Sequence, residues 1–250
     1  MILIAAQTNP VIGDINKNLT DHYKLINQAS NYSADLIVFP EMSITGYERE
    51  NANKLKFTEN DHRLDELKRL AIEKKITIIA GAPIKNQTDL FIGSFIISQN
   101  GLVSIYTKQF LHTGEELYFQ SSFNYNPLIE LDGERISLAT CFDIENDVHI
   151  ENACKINTTL YISSIFYSKQ GMNDAHNLLS GYAKKYSMNV LMCNYVGQTW
   201  GKEAGGKSAF WNNDGDLIAE LDGTNTGLLI VKKNNGNWEE NIIEYDSIQS

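Results

Sequence analysis

Apolar and polar positions along this chain switch between two rhythms, and the switches mark its elements. Ile2 to Ala6 is a continuous apolar run that reads as a buried strand. Gly13-Asp14 breaks it, and Leu19, Tyr23, Ile26 and Ala29 then recur at helical spacing on one face. Leu36 to Phe39 is the next strand, so the chain opens in β-α-β order, which favours parallel neighbours joined by a right-handed crossover. Polar residues dominate from Asn51 until Leu64, Leu67, Leu70 and Ala71 mark a second amphipathic helix, with a strand at Ile76 to Ala80 after it.

Leu90 to Ser98 and Leu102 to Tyr106 flank Asn100-Gly101, read as a two-residue hairpin turn, so part of the sheet is expected to be antiparallel. From Gln109 to Asn126 no period survives; Phe119 and Phe123 interleave with His112, Glu115 and Glu116, which predicts a long loop with a functional surface. Leu128 to Leu131 and Arg135 to Ala139, joined by Asp132-Gly133, make a hairpin that delivers Cys141. Beyond it the pattern predicts a helix near Asp147 to Lys155, a strand at Leu160 to Ser163, a helix near Asp174 to Tyr186 and a strand at Val190 to Cys193. Phe210-Trp211, a turn at Asn213-Asp214-Gly215, Leu217 to Ala219 and Leu228 to Val231 are expected to complete a second sheet. The polar tail after Lys232 is expected to pack on a neighbouring subunit or to fray.

At 250 residues the chain is at the upper end of single-domain size, with 42% hydrophobic and 21% charged residues, ordinary for a globular protein. Its net charge of −10 repels phosphate backbones and anionic membranes, so nucleic acid and membrane are poor partners. The opening residues make no signal-peptide core and no apolar stretch reaches membrane-span length, so a cytoplasmic location is expected. Cys141, Cys154 and Cys193 are an odd number without CxxC pairing, which argues against a disulfide framework or a structural zinc site.

Three reactive groups stand where a strand gives way to a loop: Glu41 after Leu36 to Phe39, Lys108 after Leu102 to Tyr106, and Cys141 after Arg135 to Ala139. Strand carboxyl ends are where open α/β folds bind ligands. A free thiol is only a few per cent thiolate at neutral pH, so Cys141 needs a base or a positive field. Glu41 suits the base, and Lys108 with the Phe142 backbone N–H suits an oxyanion. Taken singly, each has a plainer reading: an inert buried thiol, as for Cys154 and Cys193, a helix-capping carboxylate, a solvated edge-strand lysine. His112 is better read as a hydrogen-bonding or pocket residue than as the base of a Cys-His pair. Phe142 and Phe166, with Tyr167 and Trp200, are candidates to line a substrate pocket. Gly205-Gly206-Lys207-Ser208 lacks the spacing of a phosphate loop and leads into a strand.

In their order and contexts, Phe39-Pro40-Glu41-Met42, Tyr106-Thr107-Lys108 and Thr140-Cys141-Phe142-Asp143 resemble the Glu-Lys-Cys signature of the nitrilase superfamily of carbon–nitrogen hydrolases. Ile4-Ala5-Ala6-Gln7, Thr45-Gly46-Tyr47 and Gly205 to Ser208 extend the resemblance over essentially the whole chain. It implies a mixed α/β fold, an α-β-β-α sandwich of two mixed sheets flanked by helices, in one domain over residues 1–250. It implies a Glu41, Lys108 and Cys141 triad, with Glu115 as a second glutamate that positions substrate and Glu116 as its rival. The reaction it implies is hydrolysis of a small linear amide through a thioester, releasing ammonia or an amine, with no metal or organic cofactor, in a homodimer or higher homo-oligomer. A carbamoyl compound or a nitrile could be cleaved by the same triad, and a silent metabolite-binding member or a subunit of an acyltransferase or amidase assembly are the alternatives of other kinds. Two departures bear on the substrate: Phe110 stands where many relatives have histidine, and Asp143-Ile144-Glu145-Asn146-Asp147 replaces their arginine-phenylalanine-proline-glutamate run.

Overall fold

The computed structural model describes residues 1–245. The chain begins with β1 (Ile2–Gln7), α1 (Ile15–Ser30) and β2 (Leu36–Val38), then a short α2 (Ala52–Leu55), α3 (Asp65–Lys74), β3 (Thr77–Asn86), β4 (Asp89–Ile97) and β5 (Val103–Thr107). After a long loop come β6 (Ile129–Leu131), β7 (Glu134–Thr140), α4 (Asp147–Lys155), β8 (Leu160–Ser164), α5 (Met172–Tyr186) and β9 (Asn189–Cys193). A small hairpin of β10 (Gln198–Thr199) and β11 (Lys202–Glu203) precedes β12 (Ala209–Trp211), β13 (Leu217–Glu220), β14 (Thr226–Asn234) and β15 (Asn237–Tyr245).

Among the described residues these strands form two large mixed sheets, β15-β14-β1-β2-β3-β4-β5 and β13-β12-β9-β8-β7-β6. Each has a parallel centre, β1-β2-β3 in one and β7-β8-β9 in the other, with antiparallel strands at its flanks. The central strands read as unbroken apolar runs because both of their faces are covered. On β1, Leu3 and Ala5 face the other sheet, where they join Leu138, Ile162 and Leu191, while Ile4 and Ala6 face the helices and pack with Leu19 and Ile26 of α1. On the far side, Tyr161, Val190 and Met192 meet Ile150 of α4 and Leu179 of α5. The order of layers is therefore helix, sheet, sheet, helix, as the resemblance implied.

Four elements differ from the sequence reading. Leu228 to Val231 belongs to the first sheet: β14 runs antiparallel to β1, with Ile4 opposite Ile230. The tail after Lys232 does not fray up to Tyr245; Asn235 and Gly236 both take positive φ, +49° and +89°, and turn the chain back as β15. That is the Asn-Gly signal of a two-residue hairpin, and the run of polar residues around it masked it. Residues 246–250 of that tail lie outside the described residues. The Asn100-Gly101 turn holds three residues, because Ser98 N–H still bonds Leu102 O at 2.9 Å, with Gly101 at φ +81°. The unforeseen β3–β4 hairpin turns at Gln87-Thr88, with no Gly or Asn at either central position. The Asp132-Gly133 hairpin forms as read, both residues at positive φ.

One close approach fixes the segment after β2. A Cβ on Gly81 of β3 would lie 2.5 Å from the Met42 backbone N and 3.2 Å from Pro40 O, so backbone packs where a side chain would stand. We predict that Gly81→Ala lowers unfolding free energy by about 2 kcal/mol in urea titration, and that it displaces the loop carrying Glu41.

Candidate active site

Strands β2, β5 and β7 each end by handing a functional side chain to the same side of the molecule. Because β4 is antiparallel to both neighbours, β5 runs in the same direction as β2, and their carboxyl ends share one sheet edge. Three strand spacings, roughly 14 Å, separate the two strands, a gap that a lysine and a glutamate reaching towards each other can close. Lys108 Nζ lies 2.9 Å from Glu41 Oε1 and 2.8 Å from Glu115 Oε1, and all three side chains are fully buried. Glu115 comes from a 3-10 turn, Glu115–Leu117, inside the aperiodic loop. Its Oε1 also accepts from Tyr47 OH, and its Oε2 accepts from the His112 backbone N–H at 2.8 Å. Glu116 is exposed and bonds Gly114 N–H, so between the two candidates it is Glu115 that meets the lysine.

Cys141 opens a 3-10 turn directly after β7 and has φ +46°, a left-handed conformation that non-glycine residues seldom adopt. Sharp strand-to-helix elbows of this kind present nucleophiles in other α/β folds, and the N–H of the following residue, here Phe142, belongs to the first turn, whose N–H groups lack intrahelical acceptors. The thiol donates to Phe166 O at 3.3 Å and borders the Glu41 carboxylate.

Asp143 ties this elbow to the end of β5. Its Oδ1 accepts from the N–H groups of Gln109 and Phe110, at 2.9 and 2.8 Å; its Oδ2 accepts from Thr140 N–H at 2.9 Å and Tyr106 OH at 2.6 Å. The backbone of Lys108 is thus bracketed by bonds that also hold Cys141. Tyr106 OH meets His149 Nε2 at 2.9 Å, and His149 Nδ1 meets Tyr161 OH at 2.8 Å, continuing the network into β8. On the Glu41 side, Tyr195 OH donates to the Glu41 backbone carbonyl.

Burial and charge act against each other here. Burial raises the Glu41 carboxyl to about 7; Lys108 opposes that rise and the Glu115 charge adds to it. Burial disfavours the Lys108 ammonium, but Glu41, the Cys141 sulfur and Glu115 outweigh it, so its pKa rises and it stays charged. Burial also pushes the Cys141 thiol well above its ordinary value, with Glu41 adding to the effect and Lys108 opposing it. The resting site therefore holds a thiol, an ammonium and a carboxyl group poised near neutrality.

The other candidates fall into place unevenly. Phe166 contributes its carbonyl to Cys141, and its ring packs 5.1 Å from Tyr47. Phe142 and His112 face each other edge-on at 5.5 Å, but the His112 ring is exposed and bonds Thr113 O, so only its backbone serves the cluster. Phe110 likewise acts through its N–H, its ring packing on Phe123 at 5.4 Å. Tyr47, Asp143 and Tyr195 were not singled out from sequence as site residues, although Tyr47 and Asp143 stand inside the quoted motifs. Among the described residues no group of three or more His, Cys, Asp or Glu side chains is placed to hold a metal ion, and no helix is long and apolar enough to cross a membrane.

Two mixed sheets packed face to face between helices form a fold that recurs among known proteins. The carbon–nitrogen hydrolase family pattern matches residues 4–240. The chain belongs to that family. It is 26% identical over 255 residues to the "hydrolase in agr operon" of Staphylococcus aureus, a match spanning 96% of this chain and 94% of that protein. The 2-oxoglutaramate amidase of Bacillus subtilis is 26% identical over 191 residues, 75% of this chain and 73% of its own. Among solved structures, an amidase from Nesterenkonia sp. AN1 has the same fold, with a TM-score of 0.85 at 21% identity over 94% of this chain and 93% of that one.

Asp143→Asn replaces an acceptor of four hydrogen bonds by a group with two N–H donors facing donors. It is predicted to cost about 3 kcal/mol of unfolding free energy, read by denaturant titration. Retention of wild-type stability would show that the elbow does not depend on this carboxylate.

Proposed function

We propose that this chain is a thiol amidohydrolase that cleaves the carbon–nitrogen bond of a small linear amide, with Glu41, Lys108 and Cys141 as its catalytic residues. The observation that carries this reading is the convergence of the three on one point, with the lysine ion-paired to the glutamate at 2.9 Å and the thiol bordering that glutamate. Cys141 Sγ attacks the amide carbonyl carbon as its proton passes to Glu41, so the unfavourable free thiolate need not accumulate. Lys108 Nζ and the Phe142 N–H receive the developing oxyanion. The carbon–nitrogen bond then breaks, Glu41 delivers the proton to the departing nitrogen, and ammonia leaves from a primary amide. Water attacks the thioester, Glu41 takes a proton from it, and the thiolate departs and is reprotonated, giving the carboxylic acid. Glu115, with both oxygens occupied by Lys108, Tyr47 and His112 N–H, holds the lysine on its aim.

A glutamate-to-glutamine variant of the Nesterenkonia amidase carries acrylamide added at its active-site cysteine, and a cysteine-to-alanine variant is in complex with butyramide. Short aliphatic amides are accordingly the first substrates to try here. Ammonia release from an amide panel is expected in wild type and should fall at least about 10³-fold in Cys141→Ala; equal release from both proteins would remove Cys141 from the reaction. With Glu41 raised to about 7, the base is mostly protonated below that pH and free above it. The rate of Cys141 alkylation by iodoacetamide should climb through pH 7, and Glu41→Gln should erase that inflection. Alkylation that distinguishes neither Cys141 from Cys154 nor Glu41 from Gln would favour a silent protein.

A further inference from the structure

Arg49 is 8% exposed, yet among the described residues no carboxylate pairs with it and its Nε and Nη1 atoms are buried without an acceptor. Buried guanidinium groups ordinarily hold a carboxylate or phosphate, because an unpaired buried charge is among the costliest things a fold can keep. Its surroundings belong to the active site. Nη1 lies 3.4 Å from where a Cβ on Gly114 would stand, one residue from Glu115. The guanidinium carbon sits 3.6 Å from the Trp200 ring centroid and 5.9 Å from that of Tyr47, the residue whose hydroxyl bonds Glu115. Tyr47 in turn packs against Phe166, which bonds the thiol.

Trp200 stands at the tip of the β10–β11 hairpin, where it and Gly201 take positive φ, +46° and +68°. Stacking on Trp200 covers one face of the guanidinium and fixes its plane, leaving its edge to meet a ligand. Lys202 Nζ, 5.5 Å from the same ring centroid, adds a second positive charge, so this rim is basic on a protein whose net charge is −10. A neutral aliphatic amide gives such a rim nothing to bind, whereas a planar anion at the far end of the substrate matches it.

We propose that Arg49, seated on Trp200, is the specificity residue of the site, and that the substrate is a small amide bearing a carboxylate at the end remote from its scissile bond. This inference rests on the amidohydrolase reading for the reaction, but the anion subsite can be tested without turnover. The first test compares kcat/KM for succinamate and glutaramate with those for butyramide and valeramide, which match them in chain length but lack the carboxylate. Wild type should prefer the better carboxylate-bearing amide by about 100-fold or more. Arg49→Met should reduce that ratio at least about 30-fold, chiefly through KM, and Arg49→Lys should restore part of it. A purely structural arginine would lower both rates alike and leave the ratio standing, which would overturn the proposal, as would a wild-type preference for the neutral amides.

The second test measures glutaramate and succinamate binding calorimetrically to Cys141→Ala protein with and without Arg49→Met, each checked for folding by circular dichroism. Adding Arg49→Met should weaken binding at least 10-fold, roughly what loss of one charge-assisted contact produces; if that variant does not fold, Arg49→Lys takes its place, with a loss of at least threefold expected. Arg49-dependent binding without any amide turnover in wild type would sink the hydrolase reading while leaving the anion subsite intact. Turnover of neutral amides with no Arg49-dependent binding of either monoamide would do the reverse.

Discussion

Everything in this structure that bears on chemistry depends on one ammonium ion, that of Lys108, held out of water between the carboxylates of Glu41 and Glu115. Removing three charges from solvent is unfavourable unless their mutual geometry is good and their remaining lone pairs are met. The surroundings are built to that demand. Glu115 has both oxygens engaged, Tyr195 grips the backbone of Glu41, and the Lys108 segment is pinned by the carboxylate of Asp143. What remains unmet is Glu41 Oε2, which has no hydrogen-bond partner among the described residues. In the proposed reaction it is the lone pair that takes the proton of Cys141.

The two-sheet architecture explains how residues so far apart in the chain meet. Glu41 and Lys108 come from the first sheet and Cys141 from the second, so the site exists only while the sheets are correctly registered. Registration is enforced by polar contacts as well as by the apolar interface. Ser164 Oγ donates to Phe39 O at 2.8 Å, and the Cys193 thiol lies 3.3 Å from both Ala6 O and Val38 O, at the ends of β1 and β2. Cys193 thus has a structural use, which accords with its place in an apolar strand. Arg49 and Trp200 lie beside the same site, so under the proposed specificity the scaffold that assembles the reacting groups also sets what can be brought to them.

Much of this was legible in the sequence, and the reasons for the rest are physical. Central strands and helices were found because continuous apolar runs and helical periodicity are imposed by two-sided burial, as in β1 and α1. The assignment of β14 to the wrong sheet reflects a limit of pattern: Leu228 to Val231 says that both faces are buried, but not which neighbour supplies the hydrogen bonds. The β15 turn was visible in Asn235-Gly236 and was hidden by the polarity around it. At the site, Glu41, Lys108 and Cys141 stood out because each follows a strand. Asp143, Tyr47 and Arg49 did not, since their importance lies in long-range contacts with the Lys108 backbone, Glu115 and Trp200 that no local spacing encodes.

The account stands or falls on whether an acyl group passes through Cys141. Mixing the enzyme with a turned-over amide, quenching in acid within the first turnover and mapping the peptides by mass spectrometry tests this directly. The prediction is a mass increase equal to the substrate's acyl group on the peptide containing Cys141, absent when Lys108 is replaced by methionine. Turnover with no adduct on any cysteine, or an adduct on Cys154 or Cys193 instead, would contradict it.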